Sequence, residues 1–132
     1  MRVLALSIVI LAWGFWGVLS KLAEGQVGWR TSALVFSAAQ TLFLLPFWRP
    51  EPARVALGYA TAAAAGVAIG IGTLFFFRLL TTEKAGPLIA VTASYPIVAT
   101  LLAWGLLGEA LSPREWLGIV LVVGGVIILQ WR

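Results

Sequence analysis

The sequence predicts an all-α fold: a polytopic membrane helix bundle of five transmembrane helices, forming one transmembrane domain over 1–132. Three observations carry that expectation. Hydrophobic residues make up 61% of the chain and charged residues 11%, more apolar surface than a soluble domain of this size can hide. Five apolar runs, about 3–22, 31–48, 55–79, 85–107 and 114–131, come near the roughly 20 residues a helix needs to cross about 30 Å of hydrocarbon. The charges stand singly at the ends of those runs, as interfacial anchors do. The formal net charge of +4 therefore reads as membrane anchoring and not as a patch for nucleic acid. There is no Cys and no His, so disulfides, thiol chemistry and the usual transition-metal sites are absent. No metal and no cofactor is expected.

The first run starts directly after Met1-Arg2. A cleaved signal peptide is the alternative, but the run is long, contains Trp13 and Trp16 and lacks a small-x-small cleavage site. Gly25 to Gly28 and Pro50-Glu51-Pro52 mark the turns on either side of the second run. In the third, Gly58, Ala62, Gly66 and Gly70 recur every four residues, a small-residue face that lets another helix approach closely. Gly118, Gly124 and Gly125 give the fifth run a similar character. Ordinary packing and a dimer contact both fit such faces. The fifth run has a defined start: Ser112 suits an N-cap, Pro113 the first helical position, and Glu115 completes a capping box.

No Asp, Glu, Lys or Arg lies near the centre of a run. Glu24, Glu51, Glu83, Glu109 and Glu115 fall at ends or in loops, and there is no Asp. This argues against a proton pump that relies on a buried carboxylate. It also argues against an intramembrane hydrolase, since paired acids, a His base and a metal cluster are all missing. No catalytic residue and no enzymatic activity is expected. The polar candidates are neutral. Gln40 is near the middle of the second run, where its amide must find a partner, either an interhelix hydrogen bond or a substrate. Thr73 sits in the outer half of the third. Trp13 and Trp16 lie deeper than an interfacial belt, which suits either core packing or a cavity wall. Pro96 is near the centre of the fourth run. It has no N–H, so the Thr92 carbonyl loses its partner, and Thr92, Tyr95, Pro96 and Ala99 share one helix face. A plain kink is one reading and a mid-membrane binding site the other. Tyr95 is expected to face inward, to give its hydroxyl a partner.

Two stretches together resemble the EamA-like family of the drug/metabolite transporter superfamily. The segment "KAGPLIAVTASYPIVATLLAWGLLGEALSPREWLGIVLVVGGVII" at 84–128 is similar to the last two spans of a family repeat, with a mid-helix Pro, a closing GE-x-L-S and a glycine-bearing final helix. "WGFWGVLSKLA" at 13–23 resembles the family's first span. The resemblance implies a transporter of small organic metabolites and places Glu109 at the membrane edge in a structural or gating role. The sequence departs from the family in lacking an Arg in the second span, which weakens any anionic-substrate contact there. It also departs in showing one five-helix repeat where most members have two. The small multidrug resistance relatives carry an acid in the first span. "VLALSIVILAWGFWGVLS" has none, so drug–proton exchange is not implied.

The repeats of this family are related by inversion in the membrane, so one repeat implies a partner. Arg2, Arg49, Arg54 and Arg114 on the N-terminal side stand against Lys21, Arg30, Arg78, Lys84 and Arg132 on the other, four against five. The positive-inside rule needs an imbalance to choose an orientation, so insertion both ways is expected. The sequence thus predicts a multi-pass protein of the cell membrane, a homodimer of antiparallel copies in contact with membrane lipid. It moves a neutral, zwitterionic or amphipathic small-molecule substrate by alternating access. Trp13, Gln40, Thr73, Thr92 and Tyr95 are the expected lining, with Pro96 shaping the site. A flippase subunit for a lipid-linked head group and a membrane scaffold without a pathway are the alternatives. C-terminal reporters that score only inside and only outside should both respond for the natural sequence. Adding two or three bases to one side should lock one orientation and silence one reporter; a natural sequence that lights a single reporter contradicts dual insertion.

Overall fold

The computed structural model of the chain describes residues 2–49 and 57–131. The described residues form helices and turns, without a strand. They fall into two compact units, Met1–Glu83 and Lys84–Arg132.

The first unit holds α1 (Arg2–Val27), α2 (Trp29–Leu44), a short 3-10 helix (Leu45–Phe47) and α3 (Leu57–Leu80). One residue, Gly28, joins α1 to α2. It adopts φ 79° and ψ 158°, a region open essentially to glycine alone. Its N–H donates to Glu24 O at 3.0 Å, and its carbonyl accepts from Ser32 N–H at 3.0 Å, closing both helix ends. The expected turn at Gly25 to Gly28 is therefore narrower than the sequence suggests. Gly25 is helical, because only one residue has to leave helical space and good helix formers such as Lys21, Ala23 and Glu24 carry α1 past the apolar run.

α2 has 16 residues, about 24 Å at 1.5 Å each. The 3-10 turn adds about 6 Å at 2.0 Å per residue, so the two together approach the roughly 30 Å core. The expected turn at Pro50-Glu51-Pro52 and the first residues of the third run lie outside the described residues.

Burial in this unit is one-sided. Gly17 and Ser20 on α1, Ser32 and Ala33 on α2, and Phe76, Phe77 and Leu80 on α3 are buried. Residues 2–15, 37–49 and 57–72 are all exposed. Small residues on α1 and α2 leave room for the α3 aromatics. Trp16 stacks on Phe76 with centroids 4.9 Å apart, and Phe36 lies 5.8 Å from Trp16 and 6.0 Å from Phe77. Contacts of this kind add about 0.5–1.5 kcal/mol each beyond the area they bury.

Lys21 locks the same end. Its Nζ donates to the carbonyls of Leu80 and of Glu83, 3.3 Å to the latter, and lies 3.7 Å from Glu24 Oε2. A cation among the last carbonyls of a helix satisfies them and complements the dipole. Thr81 and Thr82 finish the α3 terminus by donating to Arg78 O at 2.7 Å and Leu79 O at 3.3 Å.

The second unit holds α4 (Ala85–Thr92), α5 (Tyr95–Leu107) and α6 (Pro113–Gln130). α4 and α6 are in contact. Gly108 ends α5 at φ 69°, the left-handed stop that glycine favours, and Glu109 N–H donates to Ala103 O at 3.3 Å. Across the loop, Trp104 meets Trp116 edge to face at 6.1 Å. Counted through the break in the fourth run, Arg2–Val27, Leu57–Leu80, Ala85–Leu107 and Pro113–Gln130 are each long and apolar enough to cross a membrane. The chain is a multi-pass integral membrane protein with helical spans.

Two glycines three residues apart separate backbone strain from packing, since a Cβ at either would meet nothing within 4 Å. Gly28→Ala should destabilise by about 1–3 kcal/mol, whereas Gly25→Ala should be neutral or stabilise by up to about 1 kcal/mol. Lys21→Met should cost about 1–2 kcal/mol through the lost α3 cap. Unfolding in detergent measures all three.

Candidate functional site

The fourth span is broken, not merely bent. α4 stops at Thr92 and α5 begins at Tyr95, with Ala93 and Ser94 between them. Pro96 falls in the first turn of α5, where its missing N–H costs that helix nothing. The sequence places the loss at the Thr92 carbonyl, one turn before the proline, and the backbone breaks directly after that residue. The break lies about 12 Å from Ala85 and about 18 Å from Leu107 along the helix rise, well inside the span.

The backbone changes its hydrogen-bond pattern at the break. Ala93 N–H reaches Ile89 O at 2.8 Å, Ser94 N–H reaches Val91 O at 3.1 Å, and Ile97 N–H reaches Ser94 O at 2.9 Å. Pro96 has no N–H to offer the Thr92 carbonyl, so the regular helical ladder is interrupted at Ala93–Ser94. The hydroxyls turn back onto the preceding turn. Thr92 Oγ1 donates to Leu88 O at 2.9 Å and Ile89 O at 3.1 Å, and Ser94 Oγ donates to Val91 O at 2.6 Å. Thr100 Oγ1 donates to Pro96 O at 2.7 Å. In lipid an unpaired backbone group costs several kcal/mol, so an irregular stretch at this depth has to meet protein, water or a ligand.

Leu88 is buried and Ser94, Ile97, Thr100 and Ala103 are half-buried, while Thr92, Tyr95, Pro96 and Ala99 are exposed together. The face that the sequence singles out is thus held as one, but it points out of the chain. Tyr95 is 58% exposed, contrary to the expected inward orientation. It packs outward because Leu88 and the residues at three-residue spacing from Ser94 take the inner side.

In the other unit, Trp13 is 60% exposed, Gln40 is exposed and Thr73 is half-buried. Gln40 makes no hydrogen bond among the described residues. Trp16, by contrast, is packed among Phe36 and Phe76. Its Nε1 and the Oγ of Ser32 are buried without a partner among the described residues. Gly58, Gly66, Gly70, Gly118 and Gly124 each face open space where a Cβ would stand, so the small-residue faces are not used within this chain. A shallow concavity of about 250 Å³ between Phe75, Arg78, Leu79, Thr81 and Thr82 includes none of the expected lining residues. Lys21, which in the sequence reads only as an interfacial base, is a residue whose capping role the sequence does not show. Its only signal is a single cation inside the end of an apolar run, and its partners lie 59 and 62 residues away.

The start of α6 is closed on itself. Ser112 N–H and Oγ both donate to Glu115 Oε2 at 2.7 Å, and Glu115 N–H donates back to Ser112 Oγ at 3.4 Å. Glu109 sits in the exposed Gly108–Ser112 connection. Gly108 stopping one helix and Ser112-Pro113 starting the next is the physical content of the GE-x-L-S stretch.

The profile of the EamA-like transporter family matches residues 1–131. The chain belongs to the EamA-like transporter family. Among similar EamA-family proteins is the uncharacterized transporter YwfM of Bacillus subtilis, 29% identical over 103 residues, which cover 76% of this chain and 35% of YwfM. The matched region is thus about a third of that relative's length. Another is the probable 4-amino-4-deoxy-L-arabinose-phosphoundecaprenol flippase subunit ArnE of Yersinia pseudotuberculosis. It is 28% identical over 90 residues, covering 64% of this chain and 74% of ArnE. No solved structure matches the chain.

Ser112→Ala should cost about 1 kcal/mol by opening the box, and Glu115→Gln should cost less because an amide still accepts. Thermal unfolding in detergent orders the two; equal losses would mean that the carboxylate charge, not the hydrogen bond, holds the turn.

Proposed function

We propose that this chain is one half of a membrane transport pathway. It pairs with a second copy and moves a small organic metabolite by alternating access. The observation that carries the reading is the break at Ala93–Ser94 in the fourth span, with the exposed Thr92–Tyr95–Pro96 face beside it. Transporters build midplane sites from interrupted helices of this kind, and irregular backbone at such depth survives only against protein or a wet cavity. The outward direction of that face supports a pathway completed by a partner. The unpaired Gln40 amide and the open glycine faces support the same conclusion.

The antiparallel arrangement rests on the charge count. Lys21 and Arg78 lie inside α1 and α3. Setting them aside leaves four bases on the N-terminal side against three on the other, still without a decisive bias. A second reading, a flippase subunit for a lipid-linked head group, is favoured by the similarity to ArnE over 64% of the chain. Exposed apolar residues around the break, such as Val98 and Leu102, suit a lipid tail alongside a head group.

Flux into proteoliposomes, screened over neutral, zwitterionic and amphipathic solutes, tests the proposal, with fluorescent-lipid scrambling as the parallel assay for the flippase. Pro96→Ala should lower flux at least tenfold while the yield of folded protein holds. Full flux from this variant would remove the break from the mechanism.

A further inference from the structure

Two shallow concavities adjoin on the first unit, at the end where α1 turns into α2 and α3 stops. One, of about 250 Å³, lies between Phe75, Arg78, Leu79, Thr81 and Thr82. The other, of about 190 Å³, lies between Trp29, Leu74, Phe75 and Arg78. Phe75 and Arg78 line both, so the two form one recess along α3, on the side turned away from the buried Phe76, Phe77 and Leu80. Its walls are mostly apolar, and Leu74, Phe75 and Leu79 are each left open, at 50%, 61% and 43% exposure.

The recess also carries positive charge that the protein does not use. Arg78 is exposed and makes no ion pair and no side-chain hydrogen bond among the described residues. Lys21, by contrast, is taken up by Glu24 and by the carbonyls of Leu80 and Glu83. The hydroxyls of Thr81 and Thr82 spend their protons on Arg78 O and Leu79 O, which leaves the guanidinium as the donor at this edge. Trp29 forms the other edge, and the Arg30 guanidinium lies 5.0 Å over its ring, again without an acid among the described residues. Trp and Arg together mark the level of the membrane interface. From Arg78, Phe75 and Leu74 lie about 4–6 Å further into the span along the helix rise. Charge at the surface and apolar wall beneath it is the order in which a lipid presents its head group and its chain.

We propose that this recess seats one anionic phospholipid of the surrounding bilayer. Arg78 and Arg30 receive its phosphate, and an acyl chain lies along Phe75 and Leu74. Guanidinium groups pair with phosphate through two parallel hydrogen bonds, and basic recesses at the ends of membrane helices take up anionic head groups. A free phosphate would use the guanidinium groups but not the apolar wall. A zwitterionic lipid would use the wall but bring its own cation to the phosphate. The seat shares no residue with the break in the fourth span and stands whether or not the chain moves a solute.

The test titrates the full chain in detergent with phosphatidylglycerol, phosphatidylcholine or glycerol phosphate and counts bound molecules by native mass spectrometry. The first phosphatidylglycerol should bind about fivefold more tightly than the first phosphatidylcholine, and glycerol phosphate should compete poorly. Arg78→Gln should weaken phosphatidylglycerol about fivefold, the worth of one base near an anionic lipid surface. Arg78→Lys should weaken it less, because the ammonium keeps the charge and loses the fork. Arg30→Gln should act in the same direction, and Arg114→Gln, at the start of α6, should change nothing. Both arginines of the seat are exposed, so the unliganded melting temperature of each variant should hold, which separates lost binding from lost folding. Phosphatidylglycerol with a photoreactive acyl chain should cross-link within residues 74–79. Equal affinity for the two lipids would overturn the proposal, as would cross-links confined to other segments. A loss in Arg114→Gln as large as in Arg78→Gln would mean diffuse charge attraction without a seat. Competition by glycerol phosphate as strong as by the lipid itself would mean a site for soluble phosphate, and the lipid assignment would fall.

Discussion

Every backbone N–H and C=O that enters a bilayer must be paired inside the protein, and the organisation of this chain follows from how it meets that demand. Most of its hydroxyls are spent on it. Ser7, Ser37, Thr41 and Thr61 each donate to a carbonyl three or four residues back in their own helix, which keeps polar atoms off a lipid-facing surface. Helix ends are closed with equal care: Gly28 by its left-handed backbone, α3 by Lys21 and two threonines, α6 by the Ser112–Glu115 box. Against that background the break at Ala93–Ser94 stands out as the place where a helix is interrupted within a span, at a depth where irregular backbone is expensive.

Packing shows a similar division within the first unit. Gly17, Ser20, Ser32 and Ala33 admit Phe76, Phe77 and Leu80, and Lys21 ties the last carbonyls of α3 to α1. This end is a compact joint of small residues, aromatics and one cation. The remaining lengths of the three helices, through residues 2–15, 37–49 and 57–72, bury nothing. Aromatic stacking and a charge-assisted cap are concentrated at one end, so the joint can be firm while the open lengths remain free to take up other contacts. Gln40 and the α3 glycines lie on those open lengths, and an amide at membrane depth is a strong reason for them to be covered.

Membership of the EamA-like family accords with a multi-pass membrane protein, and in this chain the GE-x-L-S stretch has an architectural meaning. Gly108 stops a helix in the left-handed region and Ser112 starts the next, which fixes the hairpin between the last two spans. The similarity to ArnE and YwfM is modest in identity but extends over most of the sequence.

The sequence by itself determined the helical membrane class, the sites of most helix ends, the capping box at Ser112 and the involvement of Pro96. Each of these is local: apolar length, a missing N–H, or a cap spaced three residues from its partner. Even there, the reach of α1 through Gly25 went beyond the hydrophobic run, because helix propensity continues where hydropathy stops. Only the tertiary structure decided which Trp packs and which faces outward, since Trp13 and Trp16 differ only in the neighbours that α2 and α3 bring. It alone revealed Lys21 as the cap of α3, because that contact joins residues about 60 positions apart in sequence. It alone also turned the Thr92–Tyr95 face outward and spent the hydroxyl protons inward. A helix face is a property of the sequence, but the side of it that meets protein is set by what packs against it.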